Sequence, residues 1–244
     1  MSTEENIIKP SIPYTNPQDA LFSGENWEEL GQSAGGHPIT GNRMLSSKKD
    51  APWVLLLGGV HGNETEGVRF MEDFVREFIL PQKESQFSFN LYSLPVLNPD
   101  GFLSFKRQNA NSVDLNRNMK TKDWNAQYTE ERYNPGSAAE SEPETRVLAN
   151  LLVEIKPDYI VSFHSWKPMI NTNGPSQKFA ALMTDHMDMI VADDIGYPTP
   201  GSLGTYAGLE RQIPTITLEF ERGIELDTVY PFARDAVLNS FNAL

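Results

Sequence analysis

Cysteine is absent from all 244 residues, which excludes disulfides, thiolate nucleophiles and zinc sites built on sulfur. Any metal must be held by His, Asp or Glu. Positive charge is scarce: 33 acidic against 20 basic side chains leave a net charge of -13, a field that repels phosphate backbones and anionic membrane surfaces. Nucleic acid and membrane are therefore not expected partners. No apolar run approaches the roughly 20 residues that a membrane helix requires. The opening residues MSTEENIIKP are acidic and polar and lack the basic-then-apolar order of a secretory signal, so the encoded chain is expected in the cytoplasm. Two further absences narrow the chemistry. There is no G-x-S-x-G elbow, which disfavours a serine hydrolase, and no G-x-x-x-x-G-K phosphate loop.

What is present is an alternation of strands and helices. Residues 1–25 read as an irregular lead-in rich in Pro, Asn and Ser, and ENWEELGQSAGGHPITGNRML as an edge hairpin. PWVLLLGGV is a continuous apolar run, as expected of a central strand buried on both faces. Thr65 to Leu80 has helical spacing and stops at Pro81. A second strand, FNLYSLPVL, runs into the turn NPDG, and residues 103–140 form a long polar loop of the kind that is usually functional. SEPETRVLANLLVEI reads as a helix with Ser141 as N-cap and Pro143 in its first turn. DYIVSFHSW and PTITLEF read as further buried strands, Phe179 to Ile195 and Val229 to Leu244 as helices. The expected fold is a single α/β domain over residues 1–244, with a central mixed, largely parallel, twisted sheet flanked by helices.

Three of the apolar strands end on titratable residues. His61 follows WVLLLGGV, His164 closes DYIVSF, and Glu219 ends PTITL. Ligands of open α/β sheets sit beyond the carboxyl ends of the strands, so all three can reach one place. Glu64 lies three residues past His61, close enough for both to grip one ion. Two imidazoles and a carboxylate with one open position are the ligand set of a catalytic zinc, which lowers the pKa of its water to about 7. Glu219 is then the candidate general base. Each piece alone fits an ordinary turn or a hydrogen-bonded core residue; their conjunction does not. His37, in the Gly-rich hairpin, and His186, beside Asp185 and Asp188, are expected to be structural or solvated. In the long loop, Arg107, Asn116 and Arg117 stand among small polar residues. A basic focus in an acidic chain points to an anionic group on the substrate.

GGVHGNETEG, LPVLNPDG, NSVDLNRN, SEPET, FHSW and TLEF, in this order, resemble the zinc carboxypeptidase family related to the digestive carboxypeptidases. The resemblance runs from about Gly31 to the last strand and is strongest toward the bacterial murein peptide amidase branch. It implies one zinc ion per chain held by His61, Glu64 and His164, with Glu219 as general base. Arg107 matches the arginine that stabilises the oxyanion, Asn116 and Arg117 the pair that holds the terminal carboxylate, and Tyr197 the mobile tyrosine that closes over substrate. The sequence departs from the digestive pattern in the spacing of Tyr197 to Gly201 and Ser202, in Met119 where an aromatic is usual, and in Gly204, beside Leu203, where many relatives carry an acid.

The branch implies hydrolysis of the bond between γ-D-glutamyl and meso-diaminopimelate in small, anionic cell-wall peptides during peptidoglycan recycling. A general or D,L-specific metallocarboxypeptidase and a zinc deacylase of N-acyl amino acids share the ligand pattern. A non-catalytic peptide-binding module would have no use for Glu219.

Overall fold

The computed structural model describes Phe22 and residues 27–81 and 87–244; apart from Phe22, the expected lead-in over 1–25 lies outside the described residues. Eight strands form one sheet: β1 (Trp27–Gln32), β2 (Pro38–Met44), β3 (Trp53–Leu57), β4 (Asn90–Leu94), β5 (Tyr159–Trp166), β6 (Met169–Asn173), β7 (Val191–Ala192) and β8 (Thr215–Glu221), in the order β1-β2-β4-β3-β5-β8-β6-β7. The middle of the sheet, β4-β3-β5-β8, is parallel. Antiparallel pairs attach β2 to β4 and β6 to β8. The sheet is thus mixed with a parallel centre, and β1–β2 is the expected edge hairpin.

The sequence alternation explains how the layers close. In β3, Val54 and Leu56 face one core with Val161, Phe163 and Leu218, covered by α1 (Thr65–Phe74), α4 (Gln177–Thr184) and α5 (Leu226–Ser240). Leu55 and Leu57 face the other core with Leu148, Leu151, Leu152 and Ile155 of α3 (Pro143–Ile155). A strand with helices on both faces has no polar side, which is why β3 reads as an unbroken apolar run. Among the described residues, no helix is long and apolar enough to cross a membrane.

Several local expectations are corrected. The predicted helix from Phe179 to Ile195 ends at Thr184: the amides of His186 and Met187 both close onto the Met183 carbonyl, and Val191–Ala192 pair with Ile170 and Asn171 as an added edge strand. Ser141 does not cap α3. Glu142 holds the N-cap position without a side-chain bond, while the Ser141 hydroxyl donates to Glu142 Oε1 at 2.7 Å and accepts from Asn118 Nδ2 at 3.0 Å. NPDG opens a short helix, α2 (Pro99–Ser104), whose N-cap Asn98 accepts from the Gly101 N–H at 2.9 Å. The helix after His61 begins at Thr65 as expected, then loosens into a π-helical turn over Val75–Ile79.

The loop carrying His61 is clamped against α2. Asn98 Nδ2 donates to the carbonyls of both Val60 and Arg107, and a Cβ on Gly62 would lie 1.9 Å from the Gly101 carbonyl carbon and 2.1 Å from the Phe102 nitrogen. Backbone cannot yield as a side chain can. Gly62→Ala is therefore expected to cost about 1–3 kcal/mol or more of stability and to displace His61; thermal unfolding and zinc titration of the variant check both.

Candidate metal centre and active-site cleft

The sheet order sets β3, β5 and β8 side by side, so their carboxyl ends deliver His61, His164 and Glu219 to one spot. His164 and Glu219 are register partners across β5 and β8, and His61 arrives on the loop after β3. Glu64, at the mouth of α1, sits between the imidazoles: Oε1 lies 2.9 Å from His61 Nδ1 and Oε2 2.8 Å from His164 Nδ1. The two Nδ1 atoms are 3.1 Å apart. His61, Glu64 and His164 are all buried and offer three ligand atoms within 4.8 Å of one another. Among the described residues no other group of three does so.

The outward nitrogens fit a metal-binding role. His61 Nε2 is 3.0 Å from Asp114 Oδ1, and His164 Nε2 is 3.1 Å from Ser162 Oγ. With Nε2–H held by a carboxylate, Nδ1 is the nitrogen left to bind a metal, giving up its own proton when the metal binds. Asp114 is fully buried and is itself held by Arg107, whose Nε and Nη2 donate to Oδ2 at 3.0 and 2.8 Å. Burial alone would raise the Asp114 carboxyl, but Arg107 and then His61 outweigh it and hold it well below the usual range. Glu64 follows the same logic: burial raises it, and His61 with His164 bring it far below its ordinary value. Three ionised or lone-pair donors facing one point are the donor set of a structural or catalytic zinc.

Glu219 stands apart from this set. Its side chain is half-buried, yet Oε2 is shut off from solvent and has no hydrogen-bond partner. Burial, opposed by His164 and reinforced by Glu64, pushes its carboxyl up to about 7. A second buried oxygen without a partner, Asn63 Oδ1, lines the same cleft. These two acceptors mark where a donor from outside the chain is missing.

All eight candidate residues from the sequence line one cleft of about 320 Å³. Arg107 lies close enough for Nη1 to donate to Glu64 Oε1 at 3.3 Å. Asn116 Oδ1 accepts the Leu203 N–H at 2.9 Å, which leaves its NH₂ as the group to offer a ligand. Arg117 is buried, and its Nη1 donates to the Asn116 carbonyl at 2.7 Å. Tyr197 is half-buried beside Trp166 and Tyr133, with ring centroids 5.7 and 6.2 Å away. His37 and His186 lie elsewhere, as expected: His37 Nδ1 is 2.8 Å from Asp100 Oδ1, and His186 is exposed.

Sequence reasoning missed several neighbours. Asp114 lies inside NSVDLNRN, and the rule that a ligating histidine pairs with a carboxylate could have singled it out. Tyr133 carries no such signal; its ring lies 5.5, 5.3 and 4.7 Å from the guanidinium carbons of Arg107, Arg117 and Arg132. Met119 is buried in the core on the α3 side of the sheet and donates its N–H to the Gly201 carbonyl. Gly204 packs against Asn173, whose Oδ1 would lie 2.2 Å from any Cβ at that position.

Paired imidazoles and a carboxylate at the carboxyl edge of a parallel sheet, with a further carboxylate beside them in a polar cleft, define a metallohydrolase-type centre. A family model described as zinc carboxypeptidase matches residues 26–195. Murein peptide amidase A of Vibrio campbellii is 32% identical over 177 residues, 68% of each chain. Murein peptide amidase A of Escherichia coli K12 is 30% identical over 207 residues, 79% of this chain and 80% of that one. Among solved structures, the murein-tripeptide amidase of Escherichia coli O157 superposes with a TM-score of 0.68 at 24% identity, covering 90% of this chain and 92% of that one. Carboxypeptidase A of Helicoverpa armigera gives a TM-score of 0.76 at 20% identity over 89% of this chain and 67% of that one. The chain belongs to the zinc carboxypeptidase family and is a zinc hydrolase.

Asp114→Asn is expected to weaken zinc binding about 10- to 100-fold, read by competition with a chromogenic chelator. A second outcome concerns pH. Because Glu219 titrates near 7 in the fold against an ordinary 4.5, the folded state binds the extra proton, and stability of the metal-free protein falls as pH rises through that interval. Glu219→Gln should flatten this slope in urea unfolding of chelator-treated protein between pH 4.5 and 7.

Proposed function

We propose that this protein is a murein peptide amidase, hydrolysing the bond between γ-D-glutamyl and meso-diaminopimelate in small released cell-wall peptides, in the cytoplasm during wall recycling. One observation carries the reading: Arg117 is a buried guanidinium beside the metal-type centre with no carboxylate within ion-pair distance among the described residues. A buried cation without a counter-ion, even one hydrogen-bonded to a carbonyl, costs free energy unless a ligand supplies the anion. The two curated relatives bearing the amidase name support the substrate class, and the cleft has room for a few residues of peptide.

His61, Glu64 and His164 would hold the zinc ion. When bound, zinc would lower the pKa of a coordinated water to about 7 and polarise the scissile carbonyl. Glu219 takes the proton of the attacking water at Oε2 and passes it to the departing amine of diaminopimelate. Arg107, fixed at Nε and Nη2 by Asp114, offers Nη1 to the developing oxyanion. Asn116, through its NH₂, and Arg117, through its planar fork, hold the terminal carboxylate of the diaminopimelate residue. Tyr197 closes over the bound peptide.

Zinc-loaded protein should release diaminopimelate from the tripeptide L-alanyl-γ-D-glutamyl-meso-diaminopimelate; no release alongside efficient removal of ordinary C-terminal L-residues overturns the reading. Glu219→Gln should keep its zinc, by elemental analysis, and lose about 10²- to 10⁴-fold in turnover.

A further inference from the structure

Four guanidiniums line the cleft: Arg107, Arg117, Arg132 and Arg222. Arg107 is matched by Asp114 and Glu64, and Arg132 by Glu130 at 3.1 Å. Among the described residues, Arg117 and Arg222 have no carboxylate within ion-pair distance. Arg117 has its task in the reading above; Arg222 has none.

Arg222 is exposed, but it is tethered at the cleft. Its backbone N–H donates to the Trp166 carbonyl at 3.1 Å, and its Nη1 donates to Ser165 Oγ at 2.9 Å. Ser165, buried, donates in turn to Glu66 Oε2 at 2.6 Å, and the other Glu66 oxygen accepts the Gly223 N–H at 2.7 Å. One buried carboxylate thus fixes both the turn that carries Arg222 and the hydroxyl that steadies its guanidinium. The anchors grow from the segments that bear the candidate centre: Glu66 follows Glu64 by two residues, Ser165 follows His164, and Arg222 follows Glu219 by three. With Nη1 tied back, the remaining donors of the fork stay available at the cleft.

The placement gives the cleft two unmatched cations on different walls. Arg117 hangs from the loop over 103–140, whereas Arg222 belongs to the β5–β8 wall that carries His164 and Glu219. A substrate that satisfies both has a carboxylate on each side of the scissile bond. An ordinary α-linked peptide has only neutral amide groups in its backbone on the acyl side. A γ-linked glutamyl residue differs, because its α-carboxylate is free and lies beside the bond to be cut.

Resting on the amidase reading, we propose that Arg222 binds the free α-carboxylate of the γ-glutamyl residue and so selects the acyl side of the substrate. Charge-assisted hydrogen bonds of about 1.5–3 kcal/mol correspond to about 10- to 100-fold in specificity.

The test compares the tripeptide with its α-carboxamide counterpart, in which the glutamyl residue is isoglutamine, for zinc-loaded wild type, Arg222→Gln and Arg222→Lys. Wild type should favour the carboxylate form about 10- to 100-fold in kcat/KM. Arg222→Gln should collapse that ratio toward one, chiefly through KM on the carboxylate form, with zinc content intact. Arg222→Lys should restore part of it and keeps the test open should the Gln variant fold poorly. Equal cleavage of both peptides by wild type, or an undiminished ratio in Arg222→Gln, overturns the proposal while leaving the amidase reading in place. Failure of the amidase reading looks different: wild type cuts α-linked peptides and neither γ-linked one, and the role of Arg222 falls with it.

Discussion

A carboxylate without solvent, held between two imidazole nitrogens, is the constraint around which the molecule is arranged. Glu64 stays ionised in its buried position because His61 and His164 approach its two oxygens from either side. That arrangement requires the ends of β3 and β5 to be neighbours, and the parallel pairing of these strands makes them so. It also requires His61 to be held from behind, which Asp114 does with Arg107 gripping its other oxygen. A loop some fifty residues further along the chain thus completes a centre begun at the third strand.

The parts of the fold that were legible from sequence are those with a strong physical signature. β3 is apolar at every position because both faces are covered, and a histidine after such a run stands out. β5 and β8 carry the same signature and end on His164 and Glu219. β6 was not legible: Met-Ile-Asn-Thr-Asn is polar by composition and becomes a strand by pairing with β8 on one side and β7 on the other. The helix continued in sequence past Thr184 because Met187 and Met189 prolong an apolar spacing, yet the chain turns at Met183 and gives Val191 to the sheet edge. Ser141 looked like a cap by residue type, but the competing partners Glu142 and Asn118 claim its hydroxyl.

The candidate site was legible where residue type alone fixes the chemistry, as in histidines at strand ends or an arginine in a polar loop. It was illegible where meaning depends on assembly. Tyr133 stands near three guanidiniums drawn from different parts of the long loop, and Ser165 and Glu66 matter through the arginine they steady. No periodicity or motif spacing records such meetings, since each residue alone is an ordinary loop, strand or helix-start residue. The asymmetry is physical: ligand identity is a property of one side chain, whereas positioning is a property of several.

Gly204 shows how a strand can fix the space behind a loop. Gly204 is pressed on the Asn173 amide, and the Asn173 backbone in turn lies against Gly208. A side chain there would place its first carbon 2.2 Å from Asn173 Oδ1, so the Asn173 side chain would have to swing aside to admit it. The space beside Gly204 is thus set by β6, none of whose residues lines the cleft.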